Sequence, residues 1–520
     1  MPIDAASTPR AMPILLLTGF GVSSAPTAFA QIEFGVPDRH QLAVGAGSAA
    51  ITDIDGDSWR DVVICERMES IIVFRNQGDG TLERLYSLYE PARAYNSIQA
   101  ADLDRDGDPD LAWLSSHGIV HSLRVWYNRG DGLGGRFAEV SLSRPGAGLV
   151  VADVSGDGLS DLIVTDARGG GSMARVFRNE GTSFVPGPSA ALPFINNLSP
   201  VAGDLDGDGD TDLAVLSLDD EHDYMYGWKL DQSQVWILFN DGTGTFPEGR
   251  PVPLPFGGGS WGEDLFPHSL RLGDLDGDGD LDMAVAATAR DYGGLPLSVV
   301  LLENLGDGRQ FSRRLSMTMG ESLVETHVLL NDMDTDGDLD LAMSAWPGIW
   351  VAENSGSFAF REPHRLPDRF PNGRSVLAAD LGSDGQSDLV VAGSYEFVVA
   401  RNMSPYTGPV LDHSVLKRGR PATMTVTDAQ PGERVYFLYS REGAGNSVGI
   451  RQLGGITLDL VDPIQLIGSA VADANGVAEL TITIPPNAPL TTVVMQAVIR
   501  RGPGGVDSVK TPFRTARIQP

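Results

Sequence analysis

Residues 203–215 read GDLDGDGDTDLAV, with Asp204, Asp206, Asp208, Asp210 and Asp212 at every second position ahead of an apolar run. Carboxylates packed this closely repel one another, and an opposite charge nearby is what keeps such groups ionised. The set suits a hard divalent cation, which takes several oxygen ligands from carboxylates and backbone carbonyls. Counting the first Asp as position one, carboxylates stand at one, three, five and nine. Glycine at four or six permits a tight turn, and position seven offers its carbonyl. An EF-hand would need Glu at position twelve between flanking helices; that position is Ile64 in the first copy of the pattern and Val215 in the fourth.

Seven copies occur. They place acidic residues at Asp53, Asp55, Asp57 and Asp61; Asp102, Asp104, Asp106 and Asp110; Asp153, Asp157 and Asp161; Asp204, Asp206, Asp208 and Asp212; Asp274, Asp276, Asp278 and Asp282; Asp332, Asp334, Asp336 and Asp340; and Asp380, Asp384 and Asp388. Position three is Ser155 in the third copy and Gly382 in the seventh. With Asp108, Asp210, Asp280 and Asp338 inside the same segments, these aspartates number 30, nearly the whole formal net charge of −31. Clustering at fixed internal spacing points to cation sites, and the acidic balance argues against nucleic acid and anionic membrane surfaces as partners.

Elements must exist to hold seven such loops. Each copy follows small and apolar residues, as in SIQAAD, and leads into a short apolar run such as LAVL. An Asn then closes a β-rich run at Asn76, Asn128, Asn179, Asn240, Asn304, Asn354 and Asn402, often before a Gly-rich turn. Every unit reads as strand, Asp loop, strand, variable loop, strand, Gly turn, strand. A period near fifty residues signals a solenoid or propeller, and four-stranded antiparallel units are propeller blades. The seventh unit lacks its last strand, and QIEF lies ahead of the first unit, so residues 31–36 are expected to complete the last blade and remove the open edge. The tripeptide Arg129-Gly130-Asp131 aligns with the Gly turns of other units and reads as a turn.

These residues resemble the FG-GAP or VCBS repeats of integrin alpha-chain propellers and of many exported bacterial proteins, over roughly residues 31–405. The resemblance implies a seven-bladed β-propeller with calcium in the loop between the first and second strands of each blade. It implies full ligand sets in copies one, two, four, five and six. Copy three, with Ser155, and copy seven, with Gly382, are the two weaker sites. In such loops calcium staples a turn, and the ion stabilises the fold by binding only the folded form.

The connections from the second to the third strand are longest in blades four and five, and antiparallel geometry puts them opposite the Asp loops. With the long link between these blades they gather His222, Tyr224, Trp228, Trp261, Asp264, His268, Asp291 and Tyr292 as a ligand-binding face. Aromatic rings that stack on an apolar surface, mixed with carboxylates and His, suit a carbohydrate or protein ligand. The same groups would serve a polysaccharide lyase or hydrolase, and a purely structural surface protein is a third reading. No nucleophile elbow, zincin helix, Walker loop or dinucleotide fingerprint is present.

At the N-terminus, Arg10 precedes an apolar run ending in Ala28-Phe29-Ala30, which reads as a signal peptide over residues 1–30; translation could equally start at Met12. No later run of 18 apolar residues exists, so a secreted or cell-surface protein without a membrane span is expected. Cys65 is the single cysteine, so no internal disulfide forms. From residue 408 to 520 the Asp pattern stops, and β-branched alternation between Pro-Gly, Asn-Gly and Gly-Gly turns predicts a small Ig-like β-sandwich.

Overall fold

The computed structural model describes residues 32–519 apart from 44, 58, 67–69, 90–93, 118, 133, 167–171, 194–195, 219–220, 224–226, 230–233, 255–264, 290–295, 322–325, 346–347, 368–369, 372, 374, 383, 394, 405–408, 428, 442–459, 461–463, 501–508 and 512–513. The expected signal peptide lies outside the described residues. Every regular element among the described residues is a β-strand.

Seven four-stranded antiparallel sheets follow one another. The first is Ala46–Thr52, Asp61–Glu66, Ser70–Asn76 and Leu82–Tyr89, paired in that order. Its second strand is buried along its whole length while its last strand carries exposed polar residues. The same gradient explains the composition: inner strands are continuous apolar runs because sheets pack on both of their faces, whereas outer strands meet water on one side. Sheets two to five repeat the order over residues 94–142, 146–191, 196–253 and 265–321, and sheet six over residues 328–365. The succession is that of a β-propeller, as expected from the sequence.

Buried apolar cores fill the spaces between consecutive sheets. Val63, Cys65 and Val73 of sheet one meet Ile98, Leu111 and Trp113 of sheet two, and Leu216 and Ile237 of sheet four meet Met283 and Val300 of sheet five. A seventh core joins sheet seven to sheet one, with Val390, Phe397 and Val399 packed on Val62, Ile64 and Phe74. The second residue of each Asp pattern, from Ile54 and Leu103 to Met333 and Leu381, is buried in these cores.

Sheet seven is Ser375–Ala379, Asp388–Ala392 and Glu396–Ala400, completed by Asp38–Gln41 from the other end of the chain. Asp38 pairs with Val399 and Gln41 with Glu396. The regular strand therefore lies beyond residues 31–36, which were expected to supply it. Within that earlier stretch Phe34 forms an isolated bridge to Asn402, and the Gly35 amide donates to the Arg401 carbonyl at 2.8 Å. The His40 ring stacks on Phe397 with centroids 4.6 Å apart, and Phe397 meets Phe74 of sheet one edge-on at 4.7 Å.

After residue 409 two further sheets enclose one core. One contains Val410–His413, Pro421–Thr427 and Ala478–Thr483; the other is built on Arg434–Ser440 and Thr492–Ile499. Met424 and Val426 from the first meet Phe437, Met495 and Ala497 from the second, the two-layer arrangement of a β-sandwich.

Candidate metal centres

Each Asp loop joins the first and second strands of its sheet, and short local hydrogen bonds shape it. The position-five carboxylate accepts from the position-seven amide in all seven loops, at 3.0 Å from Trp59 to Asp57 and 2.8 Å from Leu159 to Asp157, for example. The position-one carboxylate accepts from one to three amides further along its loop, as Asp204 does from Gly207 at 2.8 Å and Gly209 at 3.0 Å. Gly207 and Gly209 have φ values of 75° and 93°, a region that L side chains rarely enter. These glycines let the chain curl so that its amides face inward.

Position nine has a different task. Asp61, Asp110, Asp161, Asp212, Asp282, Asp340 and Asp388 are buried at the start of each second strand. Each accepts one amide from position two and one from the landmark Asn. For Asp282 these are Leu275 at 2.9 Å and Asn304 at 2.8 Å. Burial pushes Asp212 up to about 6, Asp110 and Asp282 to about 7, Asp61 to about 8 and Asp340 to about 9, with neighbouring aspartates adding to the rise and the amides opposing it. Desolvation penalises the charged form, and a cation beside it would reverse that balance.

The landmark Asn ties neighbouring sheets together. Its side-chain amide donates to the position-two carbonyl of the preceding sheet: Asn128 to Ile54 at 2.7 Å, Asn179 to Leu103 at 2.7 Å, Asn240 to Val154 at 2.8 Å, Asn304 to Leu205 at 2.8 Å, Asn354 to Leu275 at 3.0 Å and Asn402 to Met333 at 2.7 Å. Asn76 of sheet one donates to Leu381 of sheet seven at 2.9 Å. The recurrence of Asn was legible in the sequence; its reach into the preceding sheet was not.

Five loops bring three carboxylates together. Asp53, Asp55 and Asp57; Asp102, Asp104 and Asp110; Asp204, Asp206 and Asp212; Asp274, Asp276 and Asp282; and Asp332, Asp334 and Asp336 each place oxygen atoms within 4.8 Å of one another and can hold a metal ion. They belong to copies one, two, four, five and six, those with complete acidic sets. In these triads, position nine joins positions one and three in copies two, four and five. In copies one and six, position five takes its place. Asp106, Asp208 and Asp278 shape their loops through the position-seven amide and stand outside the triads.

Oxygen atoms without donors give the fit a test. Asp104 Oδ1, Asp206 Oδ1 and Asp332 Oδ1 are buried and accept no hydrogen bond among the described residues. An ionised carboxylate can only accept, and leaving it buried and unpaired is costly. These oxygens fit a hard cation. Burial likewise pushes Asp332 up to about 7, with Asp336 and Asp334 adding to the rise.

The expected ligand face is only partly described. Tyr224, Trp261, Asp264, Asp291 and Tyr292 lie outside the described residues. His222 and Trp228 stand directly opposite each other in a two-stranded hairpin, Glu221–Asp223 with Gly227–Lys229, between the second and third strands of sheet four. His268 is half-buried in the first strand of sheet five, at a bulge where the pairing shifts between Pro267 and Ser269. Arg129-Gly130-Asp131 is a Gly turn, with Gly130 at φ 76° and Asp131 accepting from the Gly134 amide at 3.0 Å.

The sequence profile of the FG-GAP-like repeat matches residues 53–113, 153–215, 219–285 and 332–391, which contain all seven Asp loops. No curated protein sequence matches the chain. Among solved structures, the chain is similar to an Agrocybe aegerita lectin studied for recognition of non-reducing terminal N-acetylglucosamine, at 20% identity over 62% of this chain and 81% of that one, with a TM-score of 0.44. It is similar to BBS1N in complex with ARL6DN, at 12% identity over 72% of this chain and 97% of that one, TM-score 0.48. A third is the V. cholerae biofilm matrix protein Bap1, at 11% identity over 72% of this chain and 92% of that one, TM-score 0.39.

Proposed function

For this FG-GAP-like repeat protein, we propose an exported, closed seven-bladed propeller that is stapled by calcium and acts as an extracellular binding module for a carbohydrate or protein ligand. Supporting the calcium assignment are the five acidic triads, the donor-free oxygens among them and the all-oxygen donor set, which suits a hard cation of flexible coordination. Asp53, Asp55 and Asp57 in blade one, and their counterparts in blades two, four, five and six, would hold the ions. Bound there, calcium would neutralise the loop and lock the turn between the first and second strands.

One observation carries the binding role: the hairpin Glu221–Lys229 is built onto blade four at the end of the sheet opposite its Asp loop. It stands outside the four-stranded pattern common to the other blades, so the fold does not require it. His222 and Trp228 share one register position on it, and these residue types suit a ligand surface. Added segments on a rigid scaffold are where binding residues concentrate.

The calcium-loaded protein, incubated with insoluble polysaccharides and cell-wall fractions, is expected to be retained, and retention should fall when residues 219–232 are replaced by a short Gly-Ser link. Release of soluble saccharide would make the protein an enzyme. Neither retention nor release, with no protein captured by cross-linking at the cell surface, would refute the binding role.

A further inference from the structure

The residue immediately before each landmark Asn ends the third strand beside its own Asp loop. Along the chain it is Arg75, Tyr127, Arg178, Phe239, Glu303, Glu353 and Arg401. Strand propensity does not call for this variation, and the charged members differ in what they do to the loop.

In blade one the guanidinium of Arg75 lies on the acidic triad. Its Nε is 2.6 Å from Asp55 Oδ2 and its Nη2 is 2.8 Å from Asp57 Oδ2. Both aspartates belong to the group that can hold a metal. In blade seven Arg401 Nη1 is 2.9 Å from Asp388 Oδ2. Position three there is Gly382, and a Cβ on it would lie 3.6 Å from both Arg401 Nη1 and Asp384 Oδ2. The guanidinium thus occupies the space toward which a position-three carboxylate would project. Room for it is kept by Gly80 of blade one, where a Cβ would fall 1.8 Å from Arg401 Nη1.

Blade five has the opposite arrangement. Glu303 is 6% exposed; one carboxylate oxygen pairs with Arg314, and Oε2 is buried with no partner among the described residues. The charge of Glu303 acts on Asp276 of the triad. Glu353, its counterpart in blade six, is already committed: it accepts the Ile32 amide at 2.6 Å on Oε1 and pairs with Arg361 through Oε2.

We propose that in three blades the residue before the landmark Asn decides which cation neutralises its loop: Arg75 is a resident cation that competes with calcium in blade one, Arg401 replaces calcium in blade seven, and Glu303 supplies a further oxygen to the calcium of blade five. The inference rests on reading the triads as calcium sites. Cation affinity follows the number and charge of the ligands, so a guanidinium bound to two of three carboxylates must be displaced before calcium enters, whereas an added carboxylate tightens the site. Blades two, five and six then fill first; blade one, and blade four, where Arg309 Nη1 holds the triad carboxylate Asp206 at 3.1 Å, fill at higher calcium, and blade seven stays free of calcium.

The test is calcium titration of the full chain after chelator treatment, by calorimetry and by metal content after equilibrium dialysis, with melting measured in chelator and in calcium. Arg75→Gln is expected to tighten one weak site roughly 10-fold or more, adding one equivalent at low calcium, and to lower the melting temperature in chelator but not in calcium. Glu303→Gln should weaken one tight site by on the order of 10- to 100-fold. Arg401→Gln should add no calcium and lower the melting temperature in both conditions. If Arg75→Gln fails to fold, the Glu303→Gln isotherm decides. An isotherm unchanged in either variant, for a wild-type chain that binds calcium, overturns the assignment alone; a wild-type chain that binds no calcium at millimolar concentration refutes the triads as calcium sites and this inference with them.

Discussion

Replacing Asn76 by Ala removes the side chain that links the first blade to the last. Asn76 is buried and makes four side-chain hydrogen bonds: it donates to Arg60 O at 3.1 Å and Leu381 O at 2.9 Å, and accepts from the Gly78 amide at 3.0 Å and the Gly80 amide at 2.9 Å. Each such bond contributes about 0.5–1.5 kcal/mol net, and a buried group left without a partner costs about 1–3 kcal/mol. The Leu381 carbonyl and the Gly80 amide lie on the buried side and cannot recruit water freely, while the Arg60 and Gly78 groups partly can. The expected loss is about 3–5 kcal/mol, at the upper end of what single substitutions do. Urea unfolding followed by tryptophan fluorescence, at saturating calcium, measures it. Gln77→Ala, one residue along and exposed, is the control and should change stability by less than about 0.5 kcal/mol. A loss below about 1 kcal/mol for Asn76→Ala would refute the claim that these Asn residues hold the blades together.

Three further outcomes follow from the same geometry. The position-nine carboxyls are held above their ordinary value, so the folded chelated protein binds protons that the unfolded chain releases. Its stability should therefore be greatest below about pH 4 and decline as pH rises through the 6 to 9 range given for Asp212, Asp110, Asp282, Asp61 and Asp340; the increment in melting temperature from calcium should grow from pH 5 to pH 8, and a calcium effect independent of pH would contradict this. A Cβ at Gly308 would sit 2.7 Å from Leu205 O and 2.9 Å from the Phe239 ring, at φ 61°, so Gly308→Ala should cost roughly 1–3 kcal/mol more than Gly207→Ala, where nothing lies within 4 Å, as read from their urea midpoints. Cys65 is fully buried and burial pushes its thiol up, so it should resist an aromatic disulfide reagent in the native protein and react stoichiometrically in denaturant.

The outer strand of blade seven illustrates a limit on reading elements from sequence. The apolar QIEF drew the expectation, yet the regular pairing falls on Asp38–Gln41, whose residues are mostly exposed. An outermost strand needs few apolar side chains, because one edge and much of one face meet water, so hydrophobic periodicity carries little information there. The bridge from Phe34 to Asn402 and the hydrogen bond from Gly35 to Arg401 do lie within the expected stretch.

What the sequence determined by itself is what short range can encode. The Asp loop is nine contiguous residues whose carboxylates and amides meet within the loop, so spacing alone exposed its turn chemistry, its seven copies and the complete acidic sets of five of them. The four-stranded unit was legible for the same reason: its strands are neighbours in sequence and joined by recognisable turns. The tertiary structure decided what depends on partners far along the chain. Position nine is a buried anchor for two amides because the second strand ends up in the interior. Asn76 reaches Leu381 only because the first and last blades come together, a separation of 305 residues. Arg75, Glu303 and Arg401 look alike as polar residues closing a strand, and only their placement over the loops separates a guanidinium that occupies an acidic site from a carboxylate that extends one.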